Sequence, residues 1–181
     1  KAAKKRVSVI GDSISTFKGF IPGNYSAHYP ATDGSLTLPS ETYWWRLIYD
    51  HLQDAELDVN IAFSASTVTN TTEENFHKRY TSEAWWHNSF SERFAACGGC
   101  GNPDIILIHG GTNDWAHNVD PLAPGVEIRN DASNSFGGSA PSTEQMEAMF
   151  AVGDAASTRA QVNALPDGSF CEAYIKLLCQ I

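Results

Sequence analysis

The stretch VSVIGDS (residues 7–13) decides the predicted fold, because a short apolar strand runs directly into a tight turn. Two further segments have strand character, Leu57–Ala62 and Asp104–Ile108. The first alternates apolar and polar residues, which predicts a half-exposed strand or one near an edge of the sheet. The second is unbroken from Ile105 onward, as expected of a parallel strand covered on both faces.

Helical patterns lie between and after these strands. A helix is expected over Glu41–Gln53, with Ser40 as its N-cap. Its predicted apolar stripe consists of Tyr43, Trp44, Leu47, Ile48 and His51. Two later helices begin at capping boxes, Ser142–Gln145 and Ser169–Glu172. The last one is expected to bury Phe170, Ala173, Tyr174, Leu177, Leu178 and Ile181. Strands that alternate with helices predict βαβ units, and hence a parallel sheet.

Two long connections follow the first and third predicted strands, over residues 17–39 and 116–141. Connections of this length in a compact domain are often functional. Because both leave the carboxyl ends of their strands, they are expected at the edge where open α/β sheets bind ligands.

Charge and hydropathy narrow the classes of partner. The 181 residues include 12 Lys and Arg against 21 Asp and Glu, a formal net charge of −9, which disfavours nucleic acid. No apolar run approaches the roughly 20 residues of a membrane span. The chain begins at Lys1 without Met and without an apolar leader, so we expect a processed, periplasmic or secreted protein.

The four cysteines leave alternatives open. Cys97 and Cys100 form a C-x-x-C, but Cys171 and Cys179 are separated by seven residues, which is a poor match to a zinc site. We therefore expect no metal, and the cysteines are either paired in disulfides or present as thiols.

Two turns carry residue types suited to acyl transfer. Gly11-Asp12-Ser13 follows the first strand, where a serine hydroxyl can project from the sheet edge. Gly110–Asp114 follows the third strand, where the Asn113 amide can donate to an oxyanion. Each turn also has a plain structural explanation, since Asp and Asn side chains commonly cap backbone N–H groups in turns.

Together these turns resemble the SGNH (GDSL-like) hydrolase family, in which the first block is Gly-Asp-Ser and the third is Gly-x-Asn-Asp. The resemblance implies a three-layer α/β/α, flavodoxin-like sandwich with a parallel sheet, in a single domain over residues 1–181. It implies that Ser13 is the nucleophile and that Asn113 lies in the oxyanion hole. No cofactor is implied. The family acts on carboxylic esters, including acetylated sugars and lipids, and we favour small-molecule or carbohydrate acetyl esters here.

The second family block aligns with residues 62–67 and places Ala65 where the family has a glycine. The N–H group of Ala65 can still complete the oxyanion hole, but a positive φ there would strain the backbone and reduce activity. Ser64 and Ser66 are expected to make local hydrogen bonds. Asp12, Gly111 and Trp115 are expected to contribute to substrate binding. Asp12 and Asp114 are also expected to organise the loops in which they lie.

The fourth block, an Asp-x-x-His that supplies the base, has no separate match. Asp114-Trp115-Ala116-His117 overlaps the third block, and no His follows His117. We therefore expect a chain that lacks the last strands and the catalytic His, with His109 and His117 as candidate substitutes. Two alternatives remain, a non-catalytic ligand-binding domain of the same fold and a fragment that another chain completes.

Five tryptophans offer either core packing or a substrate pocket. Trp44 is expected to pack the first helix onto the sheet. The others are Trp45, Trp85, Trp86 and Trp115. Of these, Trp115 is the best candidate for a pocket because it directly follows Asn113-Asp114.

Overall fold

The computed structural model describes residues 3–23, 25, 27–30, 39–40, 43–52, 54–69, 89–96, 99–116 and 142–181, with positions 96, 115 and 116 described by their backbone only. The chain divides into two compact units. One comprises Lys1–Ser66 with Cys100–Gly110, and the other comprises Thr67–Gly99 with Gly111–Ile181. Each unit is described by itself.

The first unit is built on a parallel sheet of three strands in the order β2-β1-β3. Strand β1 spans Lys5–Gly11, β2 spans Ala55–Asn60 and β3 spans Ile105–His109. Gly11 pairs with His109 at the carboxyl end of β1. The three predicted strands and their parallel arrangement are confirmed, which establishes the α/β class.

Strand β1 is the central strand of the sheet, and its residues are buried on both faces from Val7 onward. Val7, Val9 and Ile10 are fully buried, and so is Ser8, whose hydroxyl donates to the Cys100 carbonyl at 2.7 Å. The expectation of full cover on β3 is wrong, since all five of its residues are half-buried. In the described sheet, β3 has β1 as its one neighbour. An unbroken apolar run in the sequence therefore does not by itself show that a strand is buried on both faces.

Helix α1 spans Trp44–His51 and packs with a different face from the one predicted. Leu47 and Ile48 are 46% and 39% exposed, whereas Trp45 and Tyr49 are buried. The large rings of Trp45 and Tyr49 lie four residues apart on one helix face and join Val7, Val9, Phe17 and Tyr43 in a core cluster. Tyr43, not Ser40, is the N-cap, and it makes no side-chain capping bond.

Replacing Trp45 tests which face of α1 stabilises the first unit. We expect Trp45→Ala to lower the free energy of unfolding by about 3–5 kcal/mol, because it empties a fully buried site. Leu47→Ala, on the predicted but exposed face, should change it by less than about 1 kcal/mol. Urea denaturation of both variants measures the difference. Equal losses would show that our assignment of the packing face is wrong.

Helices form the described part of the second unit. Their bounds are Phe90–Ala96 (α2), Thr112–Ala116 (α3), Thr143–Asp154 (α4), Arg159–Asn163 (α5) and Phe170–Gln180 (α6). Both predicted capping boxes are confirmed, at Ser142–Gln145 and Ser169–Glu172. A third, Thr158–Gln161, opens α5 and was not predicted.

Helix α6 packs against α2, α4 and α5, and this corrects its predicted stripe. Ala173 and Leu177 are buried as expected, but Tyr174, Leu178 and Ile181 are 36%, 39% and 51% exposed. The buried face instead includes Cys171, Ile175, Lys176 and Gln180. The two polar members are both paired, since Lys176 bonds Asp167 at 2.7 Å and Gln180 bonds the exposed Asn163 at 3.1 Å. A pattern of apolar residues alone cannot identify such a face.

Cys100 and Cys179 are free thiols, Cys171 is buried, and Cys97 lies outside the described residues. Among the described side chains, no group of three or more His, Cys, Asp or Glu is arranged to hold a metal ion. No described helix has the length and apolar character to cross a bilayer.

Candidate active site

The turn after β1 is built around a buried carboxylate. Asp12 is fully buried, and its Oδ1 accepts a hydrogen bond from the Ile14 N–H at 2.9 Å, which caps a 3-10 turn over Ser13–Ser15. The expectation that Asp12 organises its loop is thus matched by its contacts. Gly11 is required by close packing, because a Cβ there would lie 2.2 Å from Ser15 Oγ and 3.0 Å from the His109 carbonyl oxygen.

Buried side chains bind the carbonyl groups of this turn. Thr16 Oγ1 donates to the Ser13 carbonyl at 2.8 Å, and the Tyr43 hydroxyl donates to the Ile14 carbonyl. The Ser15 carbonyl accepts from Trp45 Nε1 and from Asn60 Nδ2, each at 3.0 Å. Burial also raises the pKa of Tyr43, which keeps its hydroxyl protonated as a donor. The turn is therefore held from the interior of the first unit.

Ser13 occupies the start of this turn and is half-buried. The Asp12 carbonyl accepts from the Ser15 N–H at 3.0 Å, inside the turn. Because the C=O and N–H of one peptide point in opposite directions, the Ser13 N–H is directed away from that bond. Within the described residues, neither the N–H nor the Oγ of Ser13 has a hydrogen-bond partner, so both are available to a substrate.

The loop after β2 lies beside the Ser13 turn. The Gly11 carbonyl accepts from the Phe63 N–H at 3.0 Å and from Ser66 Oγ at 3.2 Å. Ser66 is fully buried and also donates to the Phe63 carbonyl, which confirms the expectation that it bonds locally. Gly11 thus joins the loop that carries Ser13 to the loop that carries Ala65.

Ala65 has a φ of +66°, the positive value whose cost was anticipated from the sequence. An L-residue with a Cβ is disfavoured there by roughly 1–2 kcal/mol. No described group accepts a hydrogen bond from the Ala65 N–H. The loop therefore carries a second unengaged backbone donor, at an energetic cost that glycine would avoid.

Substituting Ala65 by glycine should relieve this strain. We expect Ala65→Gly to raise the free energy of unfolding by about 0.5–1 kcal/mol, since relief of the left-handed backbone exceeds the added flexibility of the unfolded chain. Ala62→Gly is the matched control. Ala62 is fully buried, and its φ is not positive, so glycine should destabilise it. Thermal unfolding of both variants checks the opposite signs, and destabilisation by Ala65→Gly would contradict the assignment of strain.

The residues of the third block belong to the second unit. Gly111 has a φ of +101°, and a Cβ there would approach the Phe170 ring to 3.2 Å, so this position favours glycine on two grounds. Asn113 is the second residue of α3 and is half-buried. The predicted role of Trp115 concerns a side chain outside the described part of the structure.

Asp114 is the anchor of the third block. It is fully buried, and its carboxylate accepts from the Val68 N–H at 2.9 Å, the Thr69 N–H at 3.0 Å and Thr69 Oγ1 at 2.7 Å. Burial raises the pKa of Asp114, and these hydrogen bonds oppose that shift. Three donors on two oxygens are the arrangement that a carboxylate satisfies, so Asp114 fastens α3 to residues 68–69.

Replacing this carboxylate by an amide tests the anchor. We expect Asp114→Asn to lower the free energy of unfolding by about 2–3 kcal/mol, because the amide nitrogen would face donors that need an acceptor. Asp50→Asn, at a carboxylate that is 52% exposed, should change it by less than about 1 kcal/mol. Denaturant unfolding at neutral pH measures the free energy of unfolding of both variants. Similar losses in the two would contradict the anchoring role of Asp114.

The candidate bases are not equally described. His109 is half-buried, its ring lies 5.4 Å from that of Trp44, and its buried Nδ1 has no hydrogen bond among the described residues. Trp44 therefore contacts the end of β3, in agreement with the expectation that it packs the first helix onto the sheet. His117 lies outside the described residues. No described imidazole is hydrogen-bonded to Ser13.

Sequence reasoning missed the side chains that hold the Ser13 turn. Tyr43 was predicted to lie on the apolar stripe of a helix, and Trp45 to lie either in the core or in a substrate pocket. Asn60 was predicted to lie on the exposed side of an alternating strand. Asn60 is 2% exposed, and its Oδ1 also accepts from the Ala62 N–H at 2.9 Å. The available signal was its place at the end of a strand, directly before the apolar run Ile61–Phe63.

Comparisons with known proteins show the family and the fold of this chain. The family model for GDSL-like Lipase/Acylhydrolase matches residues 5–143. A candidate GDSL-like lipase from Bacteroides ovatus ATCC 8483 is 22% identical, with a TM-score of 0.59 over 97% of this chain and 65% of that one. A second, from Bacteroides uniformis ATCC 8492, is 26% identical, with a TM-score of 0.52 over 83% of this chain and 65% of that one. The alignments thus span about two thirds of the length of these solved relatives. No curated protein matches significantly.

Proposed function

This chain belongs to the GDSL-like lipase/acylhydrolase family, and from that premise we propose that it is a serine hydrolase of carboxylic esters that works through an acyl-enzyme. Ser13 Oγ attacks the ester carbonyl and forms a bond to its carbon, while a base takes the hydroxyl proton. Collapse of the tetrahedral intermediate breaks the bond to the alcohol, which leaves with a proton. Water then attacks the acyl-Ser13 ester, releases the acid and restores the hydroxyl.

The observation that carries this proposal is the pair of unengaged N–H groups at Ser13 and Ala65, on two loops joined through the Gly11 carbonyl. Backbone donors fixed before the reaction stabilise a developing oxyanion without reorganising, and one such donor contributes on the order of 3 kcal/mol in a comparable hydrolase. We propose that the Asn113 amide is the third donor. What supports this third donor is its place in the Gly-x-Asn-Asp block, which begins two residues after the end of β3.

The base is the weakest element of the site. His109 packs on Trp44, and no described imidazole bonds to Ser13. Without a base, a hydrolase of this type keeps its oxyanion donors and its binding but loses several orders of magnitude in kcat. We therefore expect slow hydrolysis, and we favour short acyl groups such as acetyl esters of carbohydrates.

A non-catalytic ligand-binding domain is the second candidate function. The positive φ of Ala65 favours it, because a binding domain need not keep an unstrained donor at that position. The two candidates differ in one chemical property, the nucleophilicity of Ser13.

Covalent labelling and chemical rescue test that property together. We expect a fluorophosphonate to add one phosphonyl group to Ser13, and 4-nitrophenyl acetate to be hydrolysed slowly by the protein. Added imidazole should raise that rate at least tenfold above the imidazole-only reaction, because it supplies a proton acceptor where no described imidazole bonds to Ser13. Mass spectrometry and absorbance measure the two effects.

Ser13→Ala should abolish both the labelling and the protein-dependent rate. Ser157→Ala, at an exposed serine of the second unit, should change neither. If Ser13 is not labelled and imidazole gives no rate that depends on it, the chain is a binding domain and the hydrolase proposal is wrong.

A further inference from the structure

A 220 Å³ cavity in the second unit has, among its described lining residues, none that is assigned above to ester hydrolysis. It is lined by Phe94 and Ala95 of α2, by Gly99, and by Arg159 and Asn163 of α5. Arg159 and Asn163 are exposed, so the cavity is open to solvent. They carry the two polar side chains of its described lining.

One buried residue behind this cavity holds both polar side chains. Gln180 of α6 is 2% exposed. Its carbonyl accepts from Arg159 Nη1 at 2.6 Å, and its Nε2 donates to Asn163 Oδ1 at 3.1 Å. Gln180 Oε1 is buried without a partner among the described residues, and Gln180 does not line the cavity.

These two bonds leave donors facing the cavity. The Asn163 acceptor is occupied, so its amide offers N–H groups, and Arg159 retains further N–H groups of its guanidinium. Arg159 forms no ion pair with a described carboxylate. Its guanidinium is therefore a positive charge that a hydrogen bond fixes in place, in a chain whose formal net charge is −9.

We propose that this cavity binds a small monocarboxylate through Arg159 and Asn163. The guanidinium fork matches the two oxygens of a carboxylate, and the Asn163 amide adds a donor from the same helix, four residues on. The Phe94 ring and Ala95 give the wall an apolar part, which suits a short aliphatic tail. A single cation is a sparse site for a phosphate dianion, which usually takes several charged donors.

Titration of the intact chain with sodium butyrate, against sodium chloride at equal ionic strength, tests the proposal. We expect saturable binding by calorimetry and a rise in Tm that saturates in parallel. Arg159→Gln should weaken butyrate binding at least tenfold. Asn163→Asp should abolish it, because it puts a negative charge where an amide donated. Both positions are exposed, so neither substitution removes core packing.

Lys4→Gln is the matched control. It also removes one positive charge, from a lysine whose side chain is 55% exposed, and should leave the butyrate affinity unchanged. An affinity that is equal in wild type and Arg159→Gln, or the absence of saturable binding, would overturn the site. Tighter binding of inorganic phosphate than of butyrate would overturn the carboxylate assignment. Ser13→Ala should bind butyrate normally, which separates this result from the fate of the hydrolase proposal.

Discussion

The structure of the Ser13 turn depends on the burial of its carbonyl groups. A buried carbonyl must find a donor, or it costs about 1–3 kcal/mol. Here the donors are Thr16, Tyr43, Trp45 and Asn60, all of them buried. With the carbonyls engaged from the interior, the Ser13 N–H is left without a described partner, as an oxyanion donor must be. The same bonds attach α1 to the end of β1, so the fold of the first unit and the geometry of the turn have one cause.

The sequence predicted what depends on local pattern. The three strands and two capping boxes were recognised because alternation, apolar runs and Ser-x-x-Glu/Gln spacing are local signals. The packing faces of α1 and α6 were not, because several apolar residues competed for burial on each helix. Trp45 is buried in preference to Leu47 because its indole N–H donates to the Ser15 carbonyl, thirty residues earlier in the chain. Partners that distant leave no trace in helical periodicity.

The residues of the candidate site also divide into those found from the sequence and those that were missed. Ser13, Asn113 and the substitution of Ala65 for glycine were located by spacing and by family resemblance, and the φ of Ala65 then showed what the substitution costs. Asn60 was missed because a strand pattern treats polar residues as outward-facing. A buried Asn at the carboxyl end of a strand breaks that rule because its amide donates to one backbone carbonyl and accepts from one backbone N–H. Local inconsistencies of this kind are expected where function is built on a scaffold.

Ala65 links the scaffold to the proposed chemistry. The backbone keeps a φ of +66° there although the side chain opposes it, so the surrounding bonds must exceed the strain. Those bonds are visible in Ser66, which ties the loop to the Gly11 and Phe63 carbonyls. The loop conformation is thus imposed by the neighbours of Ala65 and does not arise from Ala65 itself. The loop can therefore hold an alanine where glycine would be unstrained, at a cost in stability and with the Ala65 N–H donor retained.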